Sequence, residues 1–136
     1  MATILFIDDE TRALRAVQAA LEGKGYSVLV APNGATGIEI SRKYHIDAVV
    51  LSVTPTGKDA NQVADVLAKE QPKLPVAIRS DFPDDIPESL KWFADCLLQA
   101  RAGPEALLSA IENLIADRET VRKVAHRGTL VCSEAA

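Results

Sequence analysis

Acidic and hydroxyl residues stand at the ends of the apolar runs of this chain, where strands of a parallel sheet would end. Asp8 and Asp9 follow TILFI (residues 3–7), and Ser52 ends DAVVLS (residues 47–52). A serine hydroxyl is a weak nucleophile unless a base activates it. Aspartates are the only nearby candidates for that base, and an ordinary aspartate pKa of about 4 makes a poor proton acceptor. The pattern therefore predicts no nucleophilic catalysis and no turnover.

A structural role is open for each of these residues. Asp8 and Asp9 could cap the first helix, because acidic side chains accept hydrogen bonds from free N–H groups and suit the helix dipole. Ser52, and Ser80 at the end of PVAIRS (residues 75–80), could be small polar residues that fill strand ends.

The elements that position these residues follow from the hydrophobic pattern. Short apolar runs alternate with longer segments of helical period, which is typical of a parallel sheet connected by helices. We predict an α/β fold with one doubly wound sheet, in which ligands bind at the carboxyl ends of the strands. Its five predicted strands are residues 3–7, 27–31, 47–52, 75–80 and 95–100. The residues predicted to meet at that edge are Asp8, Asp9, Ser52, Ser80 and Ala100.

Helical periodicity marks the segments between the strands. Leu14, Val17 and Leu21 give the first helix an apolar stripe, and the fifth helix begins at Pro104. The apolar stripe of this fifth helix consists of Leu107, Leu108, Ile111 and Ile115. Beyond Ile115 the pattern fades, which predicts a domain over residues 1–118 and then a helical extension and flexible tail over residues 119–136. We expect no output domain after Ile115.

Length and charge restrict the class of partner. A chain of 136 residues is long enough for one domain with a sizeable core. The formal charge is -4, with lysine and arginine scattered along the chain, so the basic footprint of a nucleic-acid binder is missing. No apolar run approaches the ~20 residues of a membrane span. We therefore expect protein partners, with no nucleic acid and no membrane.

Cysteine usage favours a reducing compartment. Cys96 and Cys132 are the only two cysteines, they lack CxxC spacing, and no secretory signal precedes them. We expect free thiols in the cytoplasm, with a disulfide between the two cysteines as the alternative.

Over residues 2–118 the chain resembles a bacterial response-regulator receiver domain. The resemblance is carried by ILFIDDE (4–10), APNGATGIEI (31–40), DAVVLS (47–52) and ADCLLQARAGPEALLSAI (94–111), in this order and spacing. It implies a flavodoxin-like (βα)5 fold with strand order 2-1-3-4-5. In this family an acidic pair holds Mg²⁺, an aspartate ending the third strand takes a phosphoryl group, and a hydroxyl and a lysine on later strands bind that group.

The resemblance breaks at the reactive positions. Asp8 and Asp9 match the acidic pair and Ser80 matches the hydroxyl, but Ser52 stands at the phosphoacceptor position. Ala100 stands at the lysine position, which a shift of one residue would give to Gln99 or Arg101. Two carboxylates in place of three imply weak Mg²⁺ binding at most. The resemblance thus implies a pseudo-receiver that needs no cofactor, cannot undergo aspartyl phosphorylation and acts by protein–protein interaction.

The same resemblance implies where a partner would bind. Receivers commonly use the surface of helix four, strand five and helix five for a histidine kinase, an output protein or a homodimer. Trp92, Arg101 and Glu105 belong to that surface here, although core packing is the alternative for Trp92. Leu97 stands where the family has an aromatic switch residue, so we expect no relay through it.

An enzymatic alternative comes from FIDDET (residues 6–11), which resembles the nucleophile motif of haloacid-dehalogenase-type phosphatases. Asp8 would then be the nucleophile and Ser52 the second-motif hydroxyl. Glu10 replaces the expected aspartate, and no lysine, later acidic pair or cap segment supports this alternative.

Overall fold

The computed structural model describes residues 2–8, 14–53, 59–80, 86, 88–99, 104–118 and 130–131. Its strands are β1 (Thr3–Ile7), β2 (Ser27–Ala31), β3 (Ala48–Ser52), β4 (Val76–Ser80), β5 (Cys96–Gln99) and β6 (Leu130–Val131). Its helices are α1 (Arg15–Gly23), α2 (Gly34–Lys43), α3 (Asp59–Glu70), α4 (Glu88–Phe93) and α5 (Pro104–Arg118).

All strands are parallel and form one sheet in the order β2-β1-β3-β4-β5-β6. The predicted α/β fold and the predicted order of the first five strands are confirmed. The sixth strand lies beyond β5, where Leu130 pairs with Cys96 and Val131 pairs with Leu97. Within residues 119–136, for which a helical extension and flexible tail are expected, Leu130 and Val131 are the described residues, and the apolar pattern does not predict their strand.

Buried side chains form two apolar clusters, one on each face of the sheet. Side chains alternate along a strand, so Leu5 and Ile7 of β1 belong to one cluster and Ile4 and Phe6 to the other. The first cluster includes α3 and α4 residues, and partly buried α2 side chains pack against it. The second cluster includes α1 and α5 residues. Helices therefore cover both faces, as expected for nearly continuous apolar strands.

Helix α5 begins at Pro104, as predicted, and ends at Arg118. Leu107 and Ile111 of the predicted stripe are buried, while Leu108 and Ile115 are partly buried against the same cluster. This helix has 15 residues. Among the described residues, no helix is both long and apolar enough to cross a membrane.

Two aspartates each form hydrogen bonds that join the amino ends of two adjacent strands. The backbone N–H of Thr3 donates to Oδ2 of Asp47 at 2.7 Å, and the N–H of Asp47 donates to the Thr3 carbonyl at 2.8 Å. Val76 and Asp95 exchange the same pair of hydrogen bonds, both at 2.8 Å. Each aspartate directly precedes its strand, so these pairs set the register of β3 against β1 and of β5 against β4.

Helix α2 approaches β1 unusually closely at Gly37. A Cβ atom at this position would lie 2.5 Å from Cδ1 and 2.7 Å from Cγ1 of Ile7. The helix begins after Asn33, whose Oδ1 accepts from the Thr36 N–H at 2.9 Å. The cap fixes the start of the helix, and the missing side chain of Gly37 lets it lie against the end of β1.

Cys96 differs from the expectation of free thiols, because it is fully buried in β5 and is disulfide-bonded. The other cysteine of the chain is Cys132, which lies outside the described residues. Val131, the residue directly before it, pairs with Leu97. Pairing of β6 with β5 thus brings Leu130 next to Cys96, which periodicity within β5 alone does not indicate.

Candidate functional site

The carboxyl ends of β1, β3 and β4 lie side by side and carry the polar residues of the site. Ile7 of β1 pairs with Leu51 of β3, and Ser52 pairs with Arg79 of β4. Asp8 follows Ile7 directly, so it lies level with Ser52. Its N–H also donates to the carbonyl of Ala31 at 3.0 Å, which fixes its backbone beside β2.

Ser52 and Asp8 are in direct contact. Oγ of Ser52 donates a hydrogen bond to Oδ2 of Asp8 at 2.7 Å, in a partly buried position. Hydrogen bonds from a hydroxyl to a carboxylate are typically short and stronger than bonds between neutral groups. The serine predicted for the acceptor position therefore bonds to a carboxylate of the predicted acidic pair.

Arg79 brings a positive charge to the same carboxylate oxygen. Its Nη1 lies 3.6 Å from Oδ2 of Asp8, and the side chains of Arg79 and Asp8 are only 12% and 10% exposed. Ionised groups this well buried are normally paired, because an unpaired charge in a poorly solvated position is costly. Asp8 thus has a hydroxyl donor on β3 and a guanidinium on β4.

Sequence reasoning missed Arg79, although a signal was present. Alternation along PVAIRS places Arg79 in phase with Ala77, which belongs to the apolar cluster under α1 and α5. Val50 of β3 belongs to that cluster too, and Ser52 is in phase with it. The family pattern predicts a cation at the end of β5 and gives no role to the penultimate residue of β4.

Ser80 and Leu97 are buried, with 3% and 8% exposure. Ser80 is in phase with Ile78, so it lies on the opposite face of the sheet from Arg79, and it pairs with Gln99 of β5. Leu97 belongs to the apolar cluster under α3 and α4. At the aromatic position of the family, this chain therefore has a core aliphatic residue.

The remaining predicted site residues are described in part. Three of them lie outside the described residues, namely Asp9, Ala100 and Arg101. The backbone of Trp92 belongs to α4, but its side chain is outside the described part of the structure. Glu105 is exposed in the first turn of α5. The proposed roles of these residues in a metal site or partner surface stay predictions.

The described residues of the site do not fit a divalent cation. Mg²⁺ prefers carboxylate and other oxygen ligands in a nearly ideal octahedron. Within the described ranges, no group of three or more His, Cys, Asp or Glu residues could hold a metal ion. Oδ2 of Asp8 already accepts from Ser52 and lies beside the Arg79 guanidinium. We therefore derive no chemical step that involves Mg²⁺.

Comparison with known families agrees with this arrangement of strands and polar ends. The family model described as "Response regulator receiver domain" matches residues 4–112, most of the chain. The chain belongs to the response regulator receiver family. Receiver domains are signalling domains of two-component systems. The family match gives no support to the phosphatase alternative.

Known proteins are similar to this chain over different shares of their own length. Protein PilH from Pseudomonas aeruginosa is 34% identical over 80 residues, which cover 57% of this chain and 66% of PilH. The transcriptional regulatory protein GlrR from Escherichia coli (strain K12) is 26% identical over 117 residues, 84% of this chain but 26% of GlrR. The chain therefore spans about a quarter of GlrR.

A solved receiver structure confirms the fold. The response regulator TrrA from Thermotoga maritima, in complex with Mg²⁺ and BeF, superposes with a TM-score of 0.75 at 21% identity. The superposition covers 84% of this receiver domain and 99% of the TrrA chain.

Proposed function

We propose that this receiver domain takes no phosphoryl group at its acceptor position and signals by binding a protein partner. The observation that carries the proposal is the hydrogen bond from Ser52 to Asp8, with Arg79 beside the same oxygen. A receiver needs an anionic nucleophile at this position, and a neutral serine hydroxyl is weak without a base. The group that accepts from the Ser52 hydroxyl is the Asp8 carboxylate, and carboxylates are in general weak bases for a serine hydroxyl.

The chemistry of the product supports the same proposal. A phosphoryl group on an aspartate is a labile acyl phosphate that clears itself, whereas a phosphoryl group on Ser52 would be a stable ester. The TrrA structure contains Mg²⁺ and BeF, but the described residues of this site do not favour a metal. We therefore expect no phosphorylation cycle, no turnover and no required cofactor.

The proposed output is a protein contact in the cytoplasm. We assign it to the surface formed by α4, β5 and α5, with Trp92, Arg101 and Glu105 as contact residues. A histidine kinase or an output protein would be the partner, and a homodimer through this surface is the second candidate. Glu105 is exposed at the start of α5, which supports a role in a contact. The chain carries a formal charge of -4, so nucleic acid is not the expected partner.

Intact mass spectrometry tests the loss of phosphorylation. The full chain is incubated with a small-molecule phosphodonor and Mg²⁺, beside a receiver domain that accepts phosphoryl groups from the same donor. We expect an unchanged mass for this chain and a gain of one phosphoryl group for the control. A gain at any aspartate of this chain would overturn the proposal.

Co-purification from the native host tests the partner. We expect a histidine kinase or an output protein to bind whether or not phosphodonor is present. The charge reversal Glu105→Lys should weaken the complex, while the matched reversal Glu22→Lys, on the exposed part of α1, should leave it intact. Equal binding by both variants would exclude the assigned surface, and phosphodonor-dependent binding would exclude the mechanism.

A further inference from the structure

We propose that Arg79 is a built-in cation that takes the place of a divalent metal at this site. The inference rests on the proposed loss of phosphorylation, and it identifies the residue whose charge stabilises the site in place of a bound metal ion. Arg79 pairs with Ser52 across β3 and β4, and its Nη1 lies 3.6 Å from Oδ2 of Asp8. The register of the sheet therefore places Arg79 beside Ser52.

Burial makes this charge pairing important to the site. Asp8 is 10% exposed and Arg79 is 12% exposed, so water screens neither charge well. A carboxylate in such a position needs a positive charge and hydrogen-bond donors. Arg79 supplies the charge, and the Ser52 hydroxyl supplies a donor at 2.7 Å. Both partners come from within the chain.

The same arrangement disfavours a metal ion. A divalent cation bound to Oδ2 of Asp8 would displace the Ser52 hydrogen bond and stand close to a guanidinium of like charge. Guanidinium groups stay charged throughout the physiological pH range. The Arg79 charge should therefore stay beside Asp8 whatever the concentration of Mg²⁺.

Paramagnetic resonance with Mn²⁺ tests this inference, because the spectrum reports the free ion and Mn²⁺ uses the same oxygen ligands as Mg²⁺. Mn²⁺ is titrated into four proteins, which are the unaltered chain, Ser52→Asp, Arg79→Gln and the double variant with both substitutions. We expect no measurable binding by the unaltered chain and little by Ser52→Asp, whose new carboxylate would lie beside Arg79. The double variant should bind at least about tenfold more tightly than Ser52→Asp, since it gains a carboxylate and loses the guanidinium.

Controls separate the charge of Arg79 from its packing. Arg42→Gln removes an arginine that pairs with Glu70 away from the site, and in the Ser52→Asp background it should not increase Mn²⁺ binding. Arg79→Lys keeps a cation and should also bind little Mn²⁺ in that background. If the Gln variants do not fold, Arg79→Met replaces them, because it keeps an apolar stem of similar length.

Failure of this inference is distinct from failure of the proposed function. Mn²⁺ binding by Ser52→Asp as tight as that of the double variant would overturn the role of Arg79 and leave the loss of phosphorylation standing. Tight Mn²⁺ binding by the unaltered chain would have the same two consequences. A phosphoryl gain by the unaltered chain would instead overturn the proposed function.

Discussion

Ser52 and Asp8 lie 44 residues apart in the sequence, yet Oγ of Ser52 donates to Oδ2 of Asp8 at 2.7 Å. They meet because β1 and β3 are adjacent parallel strands in register. The sequence resemblance predicts that the first stands at the family's phosphoacceptor position and the second in its metal-binding acidic pair. Here the two side chains bond to each other, and Arg79 completes the contact.

This contact should contribute measurably to stability. Ser52→Ala should lower the free energy of unfolding by about 1.5 kcal/mol, because a hydrogen bond to a charged group contributes more than a neutral one. Ser41→Ala is the matched control, since Oγ of Ser41 donates to the neutral carbonyl of Ile38. Its loss should be about 0.5–1 kcal/mol. Urea denaturation measures both, and an equal or smaller loss at Ser52 would contradict the assignment.

Restoring the acceptor carboxylate should not restore the switch. Ser52→Asp would place its new carboxylate beside Arg79 and Asp8, and Ala100 would still supply no cation to pair with a phosphoryl group. Trp92 is the single tryptophan and reports on α4. We expect its fluorescence to change little when phosphodonor and Mg²⁺ are added to Ser52→Asp. A larger change is expected when Ser52→Asp is combined with both Ala100→Lys and Arg79→Gln, and a full response by the single variant would refute this prediction.

The close packing of α2 on β1 predicts opposite effects of alanine at two glycines. Gly37→Ala should destabilise the domain by about 1–3 kcal/mol, because its Cβ would overlap Ile7. Gly23→Ala should be neutral or stabilising by up to about 1 kcal/mol, since nothing lies within 4 Å and alanine favours helices. Thermal unfolding compares the two. Equal melting temperatures would show that α2 moves away from Ile7 at no cost.

The aspartates at the amino ends of β3 and β5 should be structural. Asp47→Ala and Asp95→Ala each remove a carboxylate that accepts from a strand N–H, at 2.7 and 2.8 Å respectively. Each should cost about 1.5–3 kcal/mol. Asp65→Ala, on the exposed part of α3, should change stability by less than about 0.5 kcal/mol. Chemical denaturation of the three variants checks this order.

The ion pair between Arg42 of α2 and Glu70 of α3 predicts a small acid dependence. A side-chain hydrogen bond from Arg42 and its charge hold the pKa of Glu70 below the ordinary value of 4.5. Because the folded pKa is lowered, the pair stabilises the fold above pH 4.5, and this contribution is lost as pH falls through the folded pKa. Both side chains are well exposed, so the effect should be slight and screened by salt.

Melting temperatures at pH 6 and pH 3 in low salt measure this dependence. Glu70→Gln should reduce the difference between the two temperatures, whereas Glu105→Gln, which removes an exposed carboxylate from α5, should not. An unchanged difference for Glu70→Gln would show that the ion pair contributes nothing in solution.

The sequence by itself determined the architecture of this receiver domain and the serine on which the proposed loss of phosphorylation rests. Apolar runs and helical periods predicted the first five strands, because strands covered on both faces must be apolar and the connecting helices must each bury one side. The order of the quoted motifs indicated the family. That residue 52 is a serine needed no structure, and neither did the proposal that it forms no acyl phosphate, since the chemistry of a hydroxyl does not depend on the fold.

Only the tertiary structure decided which side chains meet. Periodicity shows which face a residue occupies, but strand pairing and register decide its neighbour, and these depend on contacts between distant segments. Arg79 reaches Asp8 because β4 aligns with β3 and β3 with β1. Leu130 and Val131 become a strand because the open edge of β5 supplies unpaired backbone groups. Two apolar residues carry too little local pattern to predict that pairing.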